Sequence, residues 1–245
     1  MRLLEAGHSA EIDADQVPFA LARDGLVLVR RGSVEQVQEL LDHWTEPADH
    51  PHQSAHGLTI IFPRPPPIIG SNEVGFSEAP LTPHSDRSMA EEPPSLLAAV
   101  MEVPARAGGE AVLVDGARLL ARLRLTFDDA ALAGLQLRPG NGGGGPCVFE
   151  RHGRLTRLRY RDDQVASPYC DSGKGDVTAV LRRLIAAATT SVRLAAGDGY
   201  LIHNHRILHG RAAFMGDRRL ARLLANVHGD HPYAWLNRGF RLASS

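Results

Sequence analysis

A mainly β chain with flanking helices, folded as one domain over residues 1–245, is what three features of the sequence predict. From about residue 80 the chain is dominated by short apolar runs bounded by glycine, proline and polar turn residues. Clear helical spacing of apolar residues is confined to a few segments. No repeat of 20–50 residues and no linker divides the chain, and 245 residues suffice for one substantial core.

Taken in order, "GLVLVR" (25–30) is a buried-strand pattern. It precedes "SVEQVQELLDHW", where Ser33 and Gln36 form a capping-box pair and Val34, Val37, Leu40, Leu41 and Trp44 recur at helical spacing. A histidine- and proline-rich loop (46–57) leads to the apolar run "LTIIFP", which Pro65, Pro66 and Pro67 stop because proline donates no ladder hydrogen bond. "SLLAAVMEVP" (95–104) and "EAVLVDG" (110–116) are strand-like runs separated by the turn "ARAGG", and "ARLLARLR" is a short helix. "NGGGGP" (141–146) is a flexible loop without the Gly-Lys-Ser/Thr of a phosphate loop. "CVFERHGRLTRLRYR" alternates about His152–Gly153 as a hairpin, and "DVTAVLRRLIAAATTS" (176–191) is the second clear helix. "YLIH" and "RLLANVH" are the last strands.

Composition narrows the function classes. The 27 basic and 28 acidic residues nearly cancel, against a nucleic-acid or anionic-membrane partner. Cys147 and Cys170 form neither a disulfide framework nor a CxxC metal site and are expected to be plain reduced thiols. The N-terminus has no apolar signal region, and no apolar run reaches the ~18 residues of a membrane span. A cytoplasmic protein acting on a small molecule is the expectation, with no oligomeric state specified.

Two stretches carry chemistry. In "LTPHSDRS", His84 and Asp86 are two residues apart, so on an extended strand both side chains project from one face and can share a metal ion. A further histidine would complete the 2-His-1-carboxylate set of non-haem Fe(II) oxygenases, with positions left open for reactants. "YLIHNHRILHGR" (200–211) offers His203, His205 and His209, all odd-numbered and able to share a strand face. His205 and His209 also have zincin spacing, but Arg206 stands where the general-base glutamate belongs.

The segments "PHSDRS", "PSLLAAVMEVPARAGGEAVLVDG", "AAGDGYLIHNHRILHGR" and "DRRLARLLANV" occur in an order that resembles the taurine dioxygenase and clavaminate synthase group of Fe(II)/2-oxoglutarate-dependent dioxygenases, over about residues 70 to 225. That resemblance implies a double-stranded β-helix (jelly roll). Fe(II) would be held by His84, Asp86 and His209, the histidine of "HGR", with His203 and His205 lining the pocket or lying outside it. Arg222, 13 residues beyond His209, would anchor the far carboxylate of 2-oxoglutarate. With O2, decarboxylation of 2-oxoglutarate to succinate and CO2 would power attack on an unactivated C–H bond, most simply hydroxylation. Amino acids and natural-product intermediates are the expected substrates. Asn72, Phe76, Arg87 and the "RYRDD" segment (159–163), Arg161 above all, are candidates to contact them.

The chain departs from the group at Ala111, which follows Gly108-Gly109-Glu110 where relatives often carry threonine. The 124 residues between His84 and His209 are few, which suggests a trimmed lid. Asp86 argues against a halogenase, which would lack the carboxylate. The "NGGGGP" loop and the 46–57 segment are candidate covers of the iron end. Competing readings are a cupin-type isomerase or hydrolase with no use for Arg222, and an inactive jelly-roll binding module.

Overall fold

The computed structural model describes residues 2–5, 16–49, 57–64, 74–170 and 176–242. Its largest sheet has seven strands: β1 (Arg2–Glu5), β2 (Leu26–Arg30), β3 (Thr45–Pro47), β4 (Leu58–Ile61), β6 (Leu96–Val103), β14 (Gly199–His203) and β17 (Arg219–Val227). The order is β1-β2-β14-β6-β17-β3, with β4 also on β17. A four-stranded sheet runs β13 (Thr190–Val192), β8 (Ala111–Asp115), β15 (Ile207–Arg211), β5 (Leu81–His84). Smaller pairings join β7 (Ala107–Gly108) to β16 (Phe214–Met215), and β9 (Leu135–Pro139) to β12 (Ala166–Cys170). The hairpin β10 (Phe149–His152) and β11 (Leu155–Leu158) adds β18 (Phe240–Arg241).

Alternation along β6 shows how the layers form. Leu96, Ala98 and Val100 pack with helices α1 (Gln16–Asp24) and α2 (Val34–Asp42), through residues such as Leu21 and Leu40. Leu97, Ala99 and Met101 point the other way, onto Leu113 and Ile207 of the four-stranded sheet. β6 is buried on both faces, which explains its unbroken apolar run. A third cluster covers the outer face of the small sheet with α3 (Gly116–Leu123) and α5 (Val177–Ala188), through Leu119, Leu123 and Leu181. Burying each such leucine stabilises the fold by about 1.5–3 kcal/mol.

Ser33 caps α2 as expected: its Oγ accepts from Gln36 N–H, and Gln36 Oε1 accepts from Ser33 N–H. Gly153, at φ +64°, turns the β10–β11 hairpin. Helix α1 was not legible in the sequence, because Pro18 stands in its first turn. Its signal is the spacing of Val17, Ala20 and Leu21, all buried. The five-residue α4 (Asp129–Ala133), capped by Asp128, was also missed. The Pro65–Pro67 run lies outside the described residues. Among the described residues no helix is long and apolar enough to cross a membrane.

Candidate metal centre

The centre forms where three segments meet. β5 and β15 pair antiparallel, with His84 directly opposite His209. Their imidazole centroids lie 4.5 Å apart. Gly210 permits this: a Cβ there would come within 2.4 Å of the Leu81 carbonyl oxygen on β5. Gly210→Ala is therefore expected to force the strands apart. It should destabilise the fold by about 1–3 kcal/mol and weaken metal binding, as a denaturant midpoint and an anaerobic metal titration would show.

Asp86 does not sit on a strand beside His84. β5 ends at His84 and Asp86 opens a turn, so the alternation expected of an HxD strand does not apply. The turn still brings Asp86 Oδ1 to 3.5 Å from His84 Nε2 and 3.9 Å from His209 Nε2. Donors of the three residues all lie within 4.8 Å of one another. Metal–ligand bonds of about 2.1 Å require neighbouring donors about 3–4 Å apart, so one ion fits among them. His84 Nδ1 is 2.9 Å from the Thr82 carbonyl, a bond that fixes the ring and leaves Nε2 toward Asp86.

Electrostatics also suit a cation. Burial opposes ionisation of Asp86, but Arg222, His84 and His209 outweigh it and hold the carboxyl well below its usual range. Burial, with His84 alongside, pushes His209 down to about 3, so it is neutral near pH 7 and can donate a lone pair. Arg222 Nη1 donates to Asp86 Oδ2 at 2.9 Å, leaving Oδ1 toward the histidines.

The centre opens into a cavity of about 290 Å³. Among the described residues Arg87, Arg161, Arg211, Arg218 and Arg222 line it, five cations against the one carboxylate of Asp86. Phe76, Leu97, Ala99 and Leu220 supply apolar wall. Of the expected substrate residues, Phe76, Arg87 and Arg161 share this cavity, and Asn72 lies outside the described residues. Arg161 is paired with Asp163 at 2.7 Å. Arg87 holds a left-handed backbone at φ +56°, uncommon for a side-chain-bearing residue and here adjacent to Asp86.

Arg211, Arg218 and Tyr200 were missed, although "HGR" and "DRR" contain the two arginines. Arg211 is spent on structure, donating to the carbonyls of Gly75 and Ser77 at 3.2 and 2.7 Å and also to that of Ala79. It thereby fastens the 75–79 segment over the cavity. Burial, and then Arg218, lowers Arg211 to about 10. Arg218 is 5% exposed and packs on Phe214, and among the described residues its Nε has no hydrogen-bond partner.

Other expectations need correction. His203 and His205 do not share a strand face with His209, because the chain turns at 204–206 and passes from one sheet to the other. Both are buried: His203 Nε2 contacts the Leu236 carbonyl at 2.9 Å and the two rings meet edge-on at 5.6 Å. The Gly142–Gly145 loop lines a different cavity, of about 440 Å³, with Arg138 and Tyr169. Of the 46–57 segment, residues 46–47 belong to β3 on the large sheet and 50–56 lie outside the described residues. Ala111 is core, packed between the sheets.

Solved structures share this fold. PvcB from Pseudomonas aeruginosa is 20% identical with a TM-score of 0.68, over 92% of this chain and 85% of that one. PvcB is described as an Fe, α-ketoglutarate-dependent oxygenase from an isonitrile synthetic pathway. An asparagine oxygenase holding Fe(II), 3-hydroxyasparagine and succinate is 16% identical, with a TM-score of 0.65 over 86% and 77% of the two chains. The non-haem iron oxygenase OrfP, holding Fe, succinate and a dihydroxyarginine, is 17% identical, with a TM-score of 0.61 over 86% and 79%. No curated protein matches the chain. The profile of the taurine catabolism dioxygenase TauD, TfdA family matches residues 5–224, which include both halves of the triad. The chain belongs to that family, within the Fe(II)/2-oxoglutarate-dependent dioxygenases to which its motifs are similar.

Proposed function

We propose that this enzyme hydroxylates an unactivated C–H bond of a small carboxylate-bearing molecule, an amino acid or a natural-product intermediate, with conversion of 2-oxoglutarate and O2 to succinate and CO2. The observation that carries the reading is the convergence of His84 Nε2, Asp86 Oδ1 and His209 Nε2 at one end of an arginine-lined cavity. The two packed sheets are read as a double-stranded β-helix with this centre at its open end.

In this reading His84, Asp86 and His209 hold the iron, which when bound supplies the oxygen chemistry and the chelation site for the keto acid. The protein orients and excludes water. Arg222 fixes the Asp86 carboxylate and presents a cation beside the centre to the far carboxylate of 2-oxoglutarate. Phe76 and the Arg211-fastened segment cover the cavity, and Arg87 and Arg161 face the substrate's anionic group. Neighbours that hold asparagine and arginine derivatives support the amino-acid class.

One observation favours a second assignment for the co-substrate. Arg222 already serves Asp86, whereas Arg218, four residues earlier on the same cavity wall, is buried and has no ion-pair partner among the described residues. Titrating 2-oxoglutarate against succinate release distinguishes them. Loss of a buried charge partner costs about 2–5 kcal/mol, at least about 30-fold in affinity. Arg222→Ala is expected to raise the 2-oxoglutarate requirement by that factor; a loss seen only in Arg218→Ala transfers the anchor to Arg218. A succinate-release screen over free amino acids tests the substrate class, and stimulation by none of them would contradict it.

A further inference from the structure

The carboxylate ligand stands on a segment with no secondary structure of its own. Between the end of β5 at His84 and the start of β6 at Leu96 there is neither strand nor helix, yet Ser85, Asp86, Ser88 and Ser95 are buried. A loop placed by its own backbone alone would not hold a donor to the few tenths of an ångström a metal centre needs. Its position comes from elsewhere, and one side chain bonds Asp86 itself.

Asn204, in the turn between β14 and β15, is fully buried. Its Oδ1 accepts from the Asp86 N–H at 2.8 Å, and its Nδ2 donates to the Asp86 carbonyl at 3.0 Å. The second Nδ2 hydrogen goes to the Pro94 carbonyl at 2.8 Å, and the Asn204 N–H goes to the Ser95 carbonyl at 2.8 Å. One carboxamide thus grips both the N–H and the C=O of Asp86, as a neighbouring strand would, and ties both ends of the 85–95 loop to the same point. Only a carboxamide has the two donors and one acceptor this requires. Alanine offers none, and aspartate keeps the acceptor but repels both carbonyls. Arg159 clamps the middle of the loop through the Ser88, Ala90 and Glu91 carbonyls, but it does not touch Asp86.

We propose that Asn204 is a positioning residue for the metal centre: it fixes the Asp86 backbone so that Oδ1 meets the two imidazoles while Oδ2 meets Arg222. Because Asn204 begins the turn that leads into β15, it links Asp86 to the strand carrying His209 and so sets one ligand against another. The inference rests on Asp86 being a metal ligand.

The test uses Co(II) as the probe on metal-stripped protein, reading affinity and the visible ligand-field spectrum, with no turnover required. Asn204→Ala and Asn204→Asp are expected to bind Co(II) about 10–100-fold more weakly than wild type, as loss of a partner to a ligand usually does, with an altered spectrum. Asn204→Asp, which keeps the side-chain shape, serves if the alanine variant does not fold. Ser95→Ala is the control. It removes the Ser95 Oγ bond to Asn237 Oδ1 at 2.7 Å in the same region without touching Asp86. It should lose stability while keeping wild-type affinity and spectrum. Wild-type affinity and spectrum in both Asn204 variants overturn the inference. Co(II) binding by Asp86→Ala as tight as wild type overturns the ligand set itself, and this inference with it.

Discussion

Asp86→Ala is expected to abolish iron binding and turnover and also to destabilise the metal-free fold, whereas His209→Gln abolishes the first two with far less effect on the third. Both remove a donor from a three-donor centre, so affinity should fall by well over the 10–100-fold that an outer partner is worth. Asp86 has a second attachment. Its side chain is 9% exposed, that of Arg222 is 12% exposed, and they are joined at 2.9 Å. Removing one partner of a buried ion pair costs about 3–5 kcal/mol. His209 is a neutral imidazole with no such ion pair to lose. Denaturant midpoints of metal-free wild type and both variants, beside anaerobic Fe(II) titration and succinate release, check this. Equal stabilities in the two variants would contradict the account of the Asp86–Arg222 pair.

Acid should unfold the metal-free protein well before its carboxylates titrate. Burial lowers His203 to about 4, His209 to about 3, and His205 well below 6.5, the last with help from His203, Arg157 and Arg159. All three are neutral when folded and protonate when unfolded, so the unfolded state binds more protons below pH 6.5 and stability falls as pH falls. Each unit below that value costs about 1.4 kcal/mol per histidine, so His203 and His209 together cost about 4 kcal/mol at pH 5, and His205 adds to this in the same direction. That approaches the ~5–15 kcal/mol total of an ordinary domain. Stability should be flat above pH 7 and drop steeply from pH 6.5 toward pH 4. His205→Gln should make the slope shallower. A urea midpoint constant from pH 7 to pH 5 would contradict this.

The parts of the site that were legible are those whose chemistry is local to the chain. His84 and His209 stand on paired strands, and their motifs place them in register. Asp86 was found through the same tripeptide, but for a different physical reason: it sits in a turn whose position is set by Asn204, 118 residues away. Long-range bonds of that kind leave no spacing to read. The same limit hid Arg218 and Arg211, which are buried. Parity could not separate His203 and His205 from His209, because alternation holds within a strand and not across the turn at 204–206. Among the elements, β6 and α2 were plain from periodicity and capping, while α1, with Pro18 in its first turn, and the five-residue α4 did not stand out.

The most direct measurement is anaerobic addition of Fe(II) and then 2-oxoglutarate to metal-stripped protein, watching the visible spectrum. A weak charge-transfer band from the chelated complex is expected in wild type, and none in His209→Gln or Asp86→Ala. Iron bound by wild type with no band on adding 2-oxoglutarate would contradict this.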